Sequence, residues 1–570
     1  NSVLCYSYDG EIYTLIPGGE PRKVNVAVFA DGRSSQERIM PVNDGFTEMR
    51  LSPNGKEYAY VFRGEVFVSS VDGGFTKRIT NTPYQERSVS FSPDGRSLLY
   101  AAEANNSWNV YTTSITRKEE PYFYASTVLK TEPVIATEAE EFQPEYSPDG
   151  KEVAYLENRV VLKVINLESK KTRMIMPANV NYSYADGDQW YQWSPDGKSF
   201  LVQYSSPDRI FSPEVGLVSA DGKGEITNLT LSGYDDYNGR WSSDGKSMIW
   251  GCNRNGDHAQ GGYITTYDVY EMFFTKAGFD RFNLSKEELT LVKDQEEKAK
   301  KDKEKEKEKE KEGKKDKDKD KEKEGEAKKD SVTVTIDWEN LTDRKVKLTT
   351  HTSRLRDWAL SKDGEKLFYF TSFEKDNDLW VTELRTKETK MLAKLGVRSP
   401  SMELSSDGKN LFVLADGKPM KVEVESGKTE SLKTTGEMLV KPAEERDYIF
   451  NHAWRQFKEK FYVEDMQGVD WDFYYRAYKR FLPYINNNYD FAEILSEMLG
   501  EVNASHTGCG YRAGRNNADQ TADLGVFFDY EYKGPGPKVA GIVEGGPLDI
   551  AASKVKEGCF LEKIDGVSGR

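Results

Sequence analysis

Cysteine is scarce in this chain of 570 residues: Cys5, Cys252, Cys509 and Cys559 lie far apart, with no CxxC pair and no Cys/His cluster. Neither a disulfide framework nor a metal site is indicated, and the scarcity is compatible with cytosol and periplasm alike. Long hydrophobic runs are also missing, and none approaches the roughly 20 residues a membrane-spanning helix needs. Positive charge is in deficit, with 80 Lys and Arg against 95 Asp and Glu and a net charge of −15. Such a chain repels phosphate backbones, which argues against a nucleic-acid partner. No cofactor motif stands out. Gly197-Lys198-Ser199 and Gly245-Lys246-Ser247 mimic the end of a phosphate-binding loop, but neither has a Gly five positions before its own Gly-Lys. The chain opens inside what reads as a strand, Val3 to Tyr8, so a trimmed targeting segment stays open.

What is present is a repeat. Seven segments share a hydrophobic residue, Ser, Pro or another residue, Asp or Asn, then Gly. They are Leu51-Ser52-Pro53-Asn54-Gly55, Phe91-Ser92-Pro93-Asp94-Gly95, Tyr146-Ser147-Pro148-Asp149-Gly150, Trp193-Ser194-Pro195-Asp196-Gly197, Trp241-Ser242-Ser243-Asp244-Gly245, Leu360-Ser361-Lys362-Asp363-Gly364 and Leu404-Ser405-Ser406-Asp407-Gly408. Pro presets φ, Asp bonds its own backbone and Gly accepts the φ > 0 corner, so each segment is a tight turn. A β-rich run follows each one, as in Lys56 to Phe62, Leu98 to Ala101 and Lys366 to Phe370. One such unit cannot bury both faces of its sheet, so neighbours must stack around an axis. Most of the turns recur about every 40 to 55 residues. The fold is therefore expected to be mainly β, with a β-propeller of the WD40 or TolB kind over residues 1–440. About 395 residues at roughly 45 per blade give eight or nine units, either one seven- or eight-bladed ring or parts of two rings. The long gap between Gly245 and Gly364 holds a run of almost only Lys, Glu and Asp over 293–330. Such a run has nothing apolar to bury, so a disordered insertion between blade strands is expected, or else a lone charged helix.

After about Lys441 the texture changes. Phe450, Trp454, Phe457 and Phe461 occupy one face of a helix. Further helices are predicted from Trp471 to about Leu482, stopped by Pro483, and over Asp490 to Leu499 with Phe491, Ile494, Leu495 and Met498 on one side. A small helical domain over 441–515 thus precedes a β-rich stretch over 520–570.

The helical segment resembles the first core domain of tricorn proteases. The residues that carry the likeness are Ala453-Trp454-Arg455-Gln456-Phe457, Phe461-Tyr462, Gly468-Val469-Asp470-Trp471, Glu497-Met498-Leu499-Gly500-Glu501 and Ala504-Ser505-His506-Thr507. These large serine peptidases are related to the C-terminal-processing proteases and run propeller, first core domain, PDZ domain, second core domain. The resemblance implies that His506 is the general base and that Ser505 helps orient the site. An imidazole suits that role because its ordinary pKa lies near neutrality. Taken without the resemblance, His506 reads first as a loop histidine with ordinary hydrogen bonds, since base, orienter and nucleophile must be seen together.

The tail resembles part of a PDZ domain. Leu524-Gly525-Val526-Phe527 looks like its carboxylate-binding loop, in which backbone N–H groups cradle a peptide's end. Val543 to Pro547, Ala551-Ala552, Gly558 and Ile564-Asp565-Gly566 match later parts of that fold, while Cys559 stands where the pattern has Asp. In the family the nucleophile, its oxyanion donors and a Glu come from the second core domain. This chain ends at Arg570 and has no Gly-x-Ser-x-Gly elbow, so it is expected to be a fragment of a longer peptidase and not to hydrolyse peptides by itself. The implied partners are peptides or unfolded proteins, with homo-oligomers formed through the core domains. The implied location is the cytoplasm, or the periplasm if a signal peptide was removed. The competing reading is a non-catalytic propeller–PDZ scaffold that binds peptides or protein partners. Asp257-His258 near Cys252 lacks metal-ligand spacing and is expected in a blade loop, and His351 and His452 are expected to be surface or packing residues.

Overall fold

In all seven signature segments the serine closes the turn in the same way. Ser52 Oγ donates to Asn54 Oδ1 at 2.8 Å and accepts from the Glu57 N–H at 3.0 Å. Ser92, Ser147, Ser194, Ser242, Ser361 and Ser405 repeat both bonds with their own Asp and with the residue five positions on. The closing glycines all have φ between 69° and 74°, the left-handed corner that a Cβ disfavours. Each turn joins the first and second strands of a four-stranded antiparallel sheet.

The computed structural model describes residues 3–27, 37–183, 185–205, 212–258, 265–312, 332–373, 375–513, 523–564 and 566–568. The chain divides into two units, Asn1–Asn486 and Asn487–Arg570. In the first unit, seven four-stranded sheets span 46–78, 86–135, 141–176, 191–228, 236–347, 355–397 and 400–431. Their facing surfaces bury continuous apolar clusters, with Trp108 and Trp358 wholly enclosed. Burial of this kind is what holds neighbouring blades together.

Every junction between first strands is also strapped by a polar contact. Glu48 accepts from the Ser88 and Val89 N–H groups, Ser90 Oγ donates to the Pro144 carbonyl, and Gln143 Nε2 donates to the Gln189 carbonyl. Gln192 Oε1 accepts from the Trp241 N–H, Arg240 pairs with Asp357, and Asp357 accepts from the Met402 N–H. Glu403 accepts from the Leu51 N–H at 3.0 Å, which joins the seventh blade to the first. The ring is therefore a seven-bladed propeller, one of the two ring sizes the repeat allowed. Strand Arg38–Val42 pairs with Gly436–Val440 and clasps its ends.

The residues before it form a separate three-stranded sheet, Leu4–Tyr8, Glu11–Leu15 and Arg22–Lys23. Its hairpin Asp9-Gly10 has φ of 52° and 75°, the same corner as Arg63-Gly64 and Asp416-Gly417 in blades one and seven. This sheet thus repeats the outer part of a blade outside the ring.

The described residues also hold five α-helices: α1 (Lys276–Phe282), α2 (Lys286–Glu312), α3 (Pro442–Lys460), α4 (Trp471–Lys479) and α5 (Asn488–Gly500). Of the two alternatives for 293–330, a disordered insertion or a charged helix, the helix is found in the first part. Helix α2 runs on through the charged residues to Glu312, while 313–331 lie outside the described residues. Both α1 and α2 lie between the third and fourth strands of the fifth blade. Pro442 stands in the first turn of α3, where its missing N–H costs nothing. The aromatic face of α3 meets α4, and the two indoles exchange bonds, Trp454 Nε1 to the Trp471 carbonyl and Trp471 Nε1 to the Trp454 carbonyl, both 3.1 Å. Helix α4 stops at Lys479, and Pro483 falls inside a short 3-10 turn, Leu482–Tyr484.

Candidate functional site

In the second unit, Asn487 caps α5 by accepting from the Tyr489 and Asp490 N–H groups, both 3.0 Å. Phe491, Ala492, Leu495 and Met498 form the buried face of this helix, and Ile494 is only half-buried. The chain then turns sharply. Val502 is buried, Asn503 takes φ 51°, and the Thr507 hydroxyl donates to the Ala504 carbonyl at 3.1 Å. Between them, Ser505 and His506 are exposed. His506 itself has φ 61°, a left-handed conformation that costs a residue with a Cβ on the order of 1 kcal/mol. Among the described residues, neither the Ser505 hydroxyl nor the His506 ring has a hydrogen-bond partner.

Gly525, in the loop from Leu524 to Phe527, has φ 64°, and a Cβ there would stand 2.8 Å from Pro547 Cδ. The Val543 N–H bonds the Gly525 carbonyl at 2.8 Å, so the loop and the 543–547 turn are joined. Strand Val526–Phe528 pairs with Val539–Ile542, while Leu524 and Phe527 are exposed. The Gly525 N–H donates to Asp523 Oδ1 at 2.7 Å. Cys559, in the place of the expected Asp, accepts from the Lys556 N–H with its sulfur at 3.3 Å. Asp565 lies outside the described residues.

Sequence reasoning missed two features of the first unit. One is the docking stripe of α3. Glu445 pairs with Arg63, and Tyr448 accepts from the Gln85 N–H. Tyr448, His452 and Arg455 all reach the buried carboxylate of Glu103, with His452 Nδ1 at 2.7 Å and Arg455 at 2.6 Å. Glu103 is held below the usual carboxylate range: burial opposes ionisation, but the bonds and charge of His452, then Tyr448 and Arg455, outweigh it. Further along, Gln456 bonds Glu140, and Lys460 joins Arg87 and Arg159 on Asp186, whose carboxyl falls to about 2 against its own burial. The spacing 445, 448, 452, 455–456, 460 is helical and could have been read from the sequence as a second, polar face. His452 is thus a docking residue, while His258 bonds the Asn253 carbonyl at 2.6 Å and His351 meets Phe373 edge-on.

The other missed feature is a set of charges on the first strands of the blades. Arg50 of blade one is felt by both Glu145 of blade three and Glu403 of blade seven. Burial pushes Glu145 up to about 7, against the pull of Arg50. Among the described residues, no group of three or more His, Cys, Asp and Glu could hold a metal ion, and no helix is long and apolar enough to cross a membrane.

Residues 442–500 match the family model of the tricorn protease C1 domain. Two curated relatives align along most of the chain. Tricorn protease homolog 1 of Streptomyces coelicolor is 22% identical over 92% of this chain and 48% of its own length. The tricorn protease homolog of Saccharolobus solfataricus is 21% identical over 99% of this chain and 49% of its own. The chain spans about half the length of these relatives. A crystal structure of the tricorn protease superposes with a TM-score of 0.66 at 14% identity, covering 99% of this chain and 52% of that one. At that identity the likeness is one of fold. The resemblance read from the sequence is borne out: residues 442–500 match the tricorn protease C1 domain, and the chain along most of its length is similar to tricorn protease homologues.

Proposed function

We propose that this chain forms the propeller, first core helices and PDZ-like part of a serine peptidase acting on peptides and unfolded chains. His506 serves as general base, Ser505 orients the site, and the nucleophilic serine is supplied by a further core domain. In this scheme His506 takes the serine proton as Oγ attacks the scissile carbonyl, then returns it to the leaving amine. The observation that supports the reading is the pose of His506. It is held in the left-handed region directly after α5, exposed, with no ring partner among the described residues. Strain of that kind on a polar residue is concentrated at working sites, and an unengaged imidazole is free to accept a proton.

The proposed division is propeller over 1–440, first core domain over 441–515 and PDZ-like domain over 520–570. The propeller would admit extended peptides as a substrate gate. The segment Leu524 to Phe527 would hold a peptide beside the strand Val526–Phe528. Assembly through the core domains and a cytoplasmic location follow from the same family reading. The test is labelling of the full-length protein by a serine-directed fluorophosphonate. Labelling that is lost on boiling and blocked by peptide substrate is expected; absence of labelling, with peptide binding retained, would establish a non-catalytic scaffold instead.

A further inference from the structure

The Leu524–Phe527 loop is the part of the second unit whose chemistry departs from what its sequence suggests. A loop that cradles a chain's terminal carboxylate must offer free backbone N–H groups and tolerate negative charge. Here the N–H of Gly525, the residue at the corner, is already taken by a carboxylate of the chain itself, Asp523 Oδ1 at 2.7 Å. Gly525 is buried, and Pro547 closes on it from the other side. The 543–547 turn adds Glu544, and its Gly545 N–H is occupied by Asp549 Oδ2 at 2.8 Å. Two glycine corners that could receive an anion are thus each filled by an internal acid. The strand next to the loop is in the opposite condition. Val526–Phe528 pairs only with Val539–Ile542, in a two-stranded sheet. Its other edge has no strand partner among the described residues, and Leu524 and Phe527 stand exposed beside it.

Resting on the reading of this segment as a peptide-binding one, we propose that Asp523 sets its end-group preference. The open edge takes up a strand from a chain's interior, or from an end without a free carboxylate, and Asp523 repels the terminal carboxylate that the loop's sequence suggested it would bind. Main-chain bonds to an added strand supply affinity without an anionic anchor. A like charge at the loop supplies the discrimination, about tenfold for one partly solvated pair at close range.

The experiment uses the 570-residue chain and a fluorescein-labelled octapeptide ending in Ala-Val-Phe, made as the free acid and as the C-terminal amide, with binding read by fluorescence polarisation. The amide is expected to bind about tenfold more tightly than the acid. Asp523→Asn keeps an oxygen for the Gly525 N–H and removes only the charge, so it should strengthen binding of the acid and bring the two within about twofold. Tighter binding of the acid to the unaltered chain, or an unchanged ratio in Asp523→Asn, would overturn the inference while leaving peptide binding intact. Failure of both peptides to bind would overturn the peptide-binding reading itself, and the inference with it.

Discussion

Glu86→Gln should make the propeller more stable at pH 8 and leave it nearly unchanged at pH 5. Glu86 opens the second blade, and Glu65 stands in the first; both are buried and both lie within hydrogen-bond reach of the Thr80 hydroxyl, at 2.9 and 2.8 Å, which can donate to only one of them. Thr82 adds a bond to Glu86 at 2.6 Å, and Arg78 pairs with Glu65 at 3.0 Å. Burial, and after it the charge of Glu65, pushes the Glu86 carboxyl up to about 8. The folded protein therefore keeps a proton there that the unfolded chain loses near pH 4.5. A raised folded pKa means full stability below the unfolded value and a loss as pH climbs towards the folded one. At about 1.4 kcal/mol per unit, the loss across that window is on the order of 4 kcal/mol. Glutamine is neutral throughout, can accept from Thr82 and can donate to the Thr80 hydroxyl. Urea unfolding followed by tryptophan fluorescence from pH 5 to pH 9 reads the difference between the two proteins, in which other titrating groups cancel. The gap should open by roughly 3–5 kcal/mol between pH 5 and pH 8. Parallel profiles would refute the retention of a proton on buried Glu86.

Glu103→Ala removes the buried carboxylate under α3 and strands Arg455 and His452, at a cost of about 3–5 kcal/mol. Hydrogen exchange should show α3 losing protection before the blades do. Glycine substitutions separate strain from crowding. Gly417→Ala (φ 80°) places a Cβ 3.0 Å from the Gly45 Cα, whereas Gly364→Ala (φ 74°) meets nothing within 4 Å. Thermal unfolding should show the first losing more than the roughly 1 kcal/mol expected of the second. Equal losses would mean that the first and seventh blades are not closed as described.

The ring was legible because one local device is repeated: Ser, Asx and Gly make the same turn bonds in every blade, and such bonds depend only on near neighbours. The number of blades was not legible. Closure rests on Glu403 meeting Leu51 and on Phe412 and Leu414 packing against Phe46 and Tyr60, contacts between residues more than 300 positions apart. The α3 aromatic face was read from its spacing, but its polar stripe was not, because nothing local reveals that Glu103 and Asp186 lie beneath it. Over 293–330 the sequence left a disordered run and a charged helix both open, because alternating Lys and Glu can support a helix through i,i+4 pairs yet supply nothing apolar to require one. For the candidate site, the position of His506 came from the family likeness. Its left-handed backbone is set by the turn that follows Val502, which no single residue type announces.

The most direct measurement is peptide hydrolysis by the full-length protein carrying His506→Ala, compared with the unaltered protein at neutral pH. A fall in kcat of roughly 10³-fold or more, with KM little changed and the propeller still folded, is the expected result for a general base. Hydrolysis at the unaltered rate would contradict the assignment of His506 and with it the proposed site.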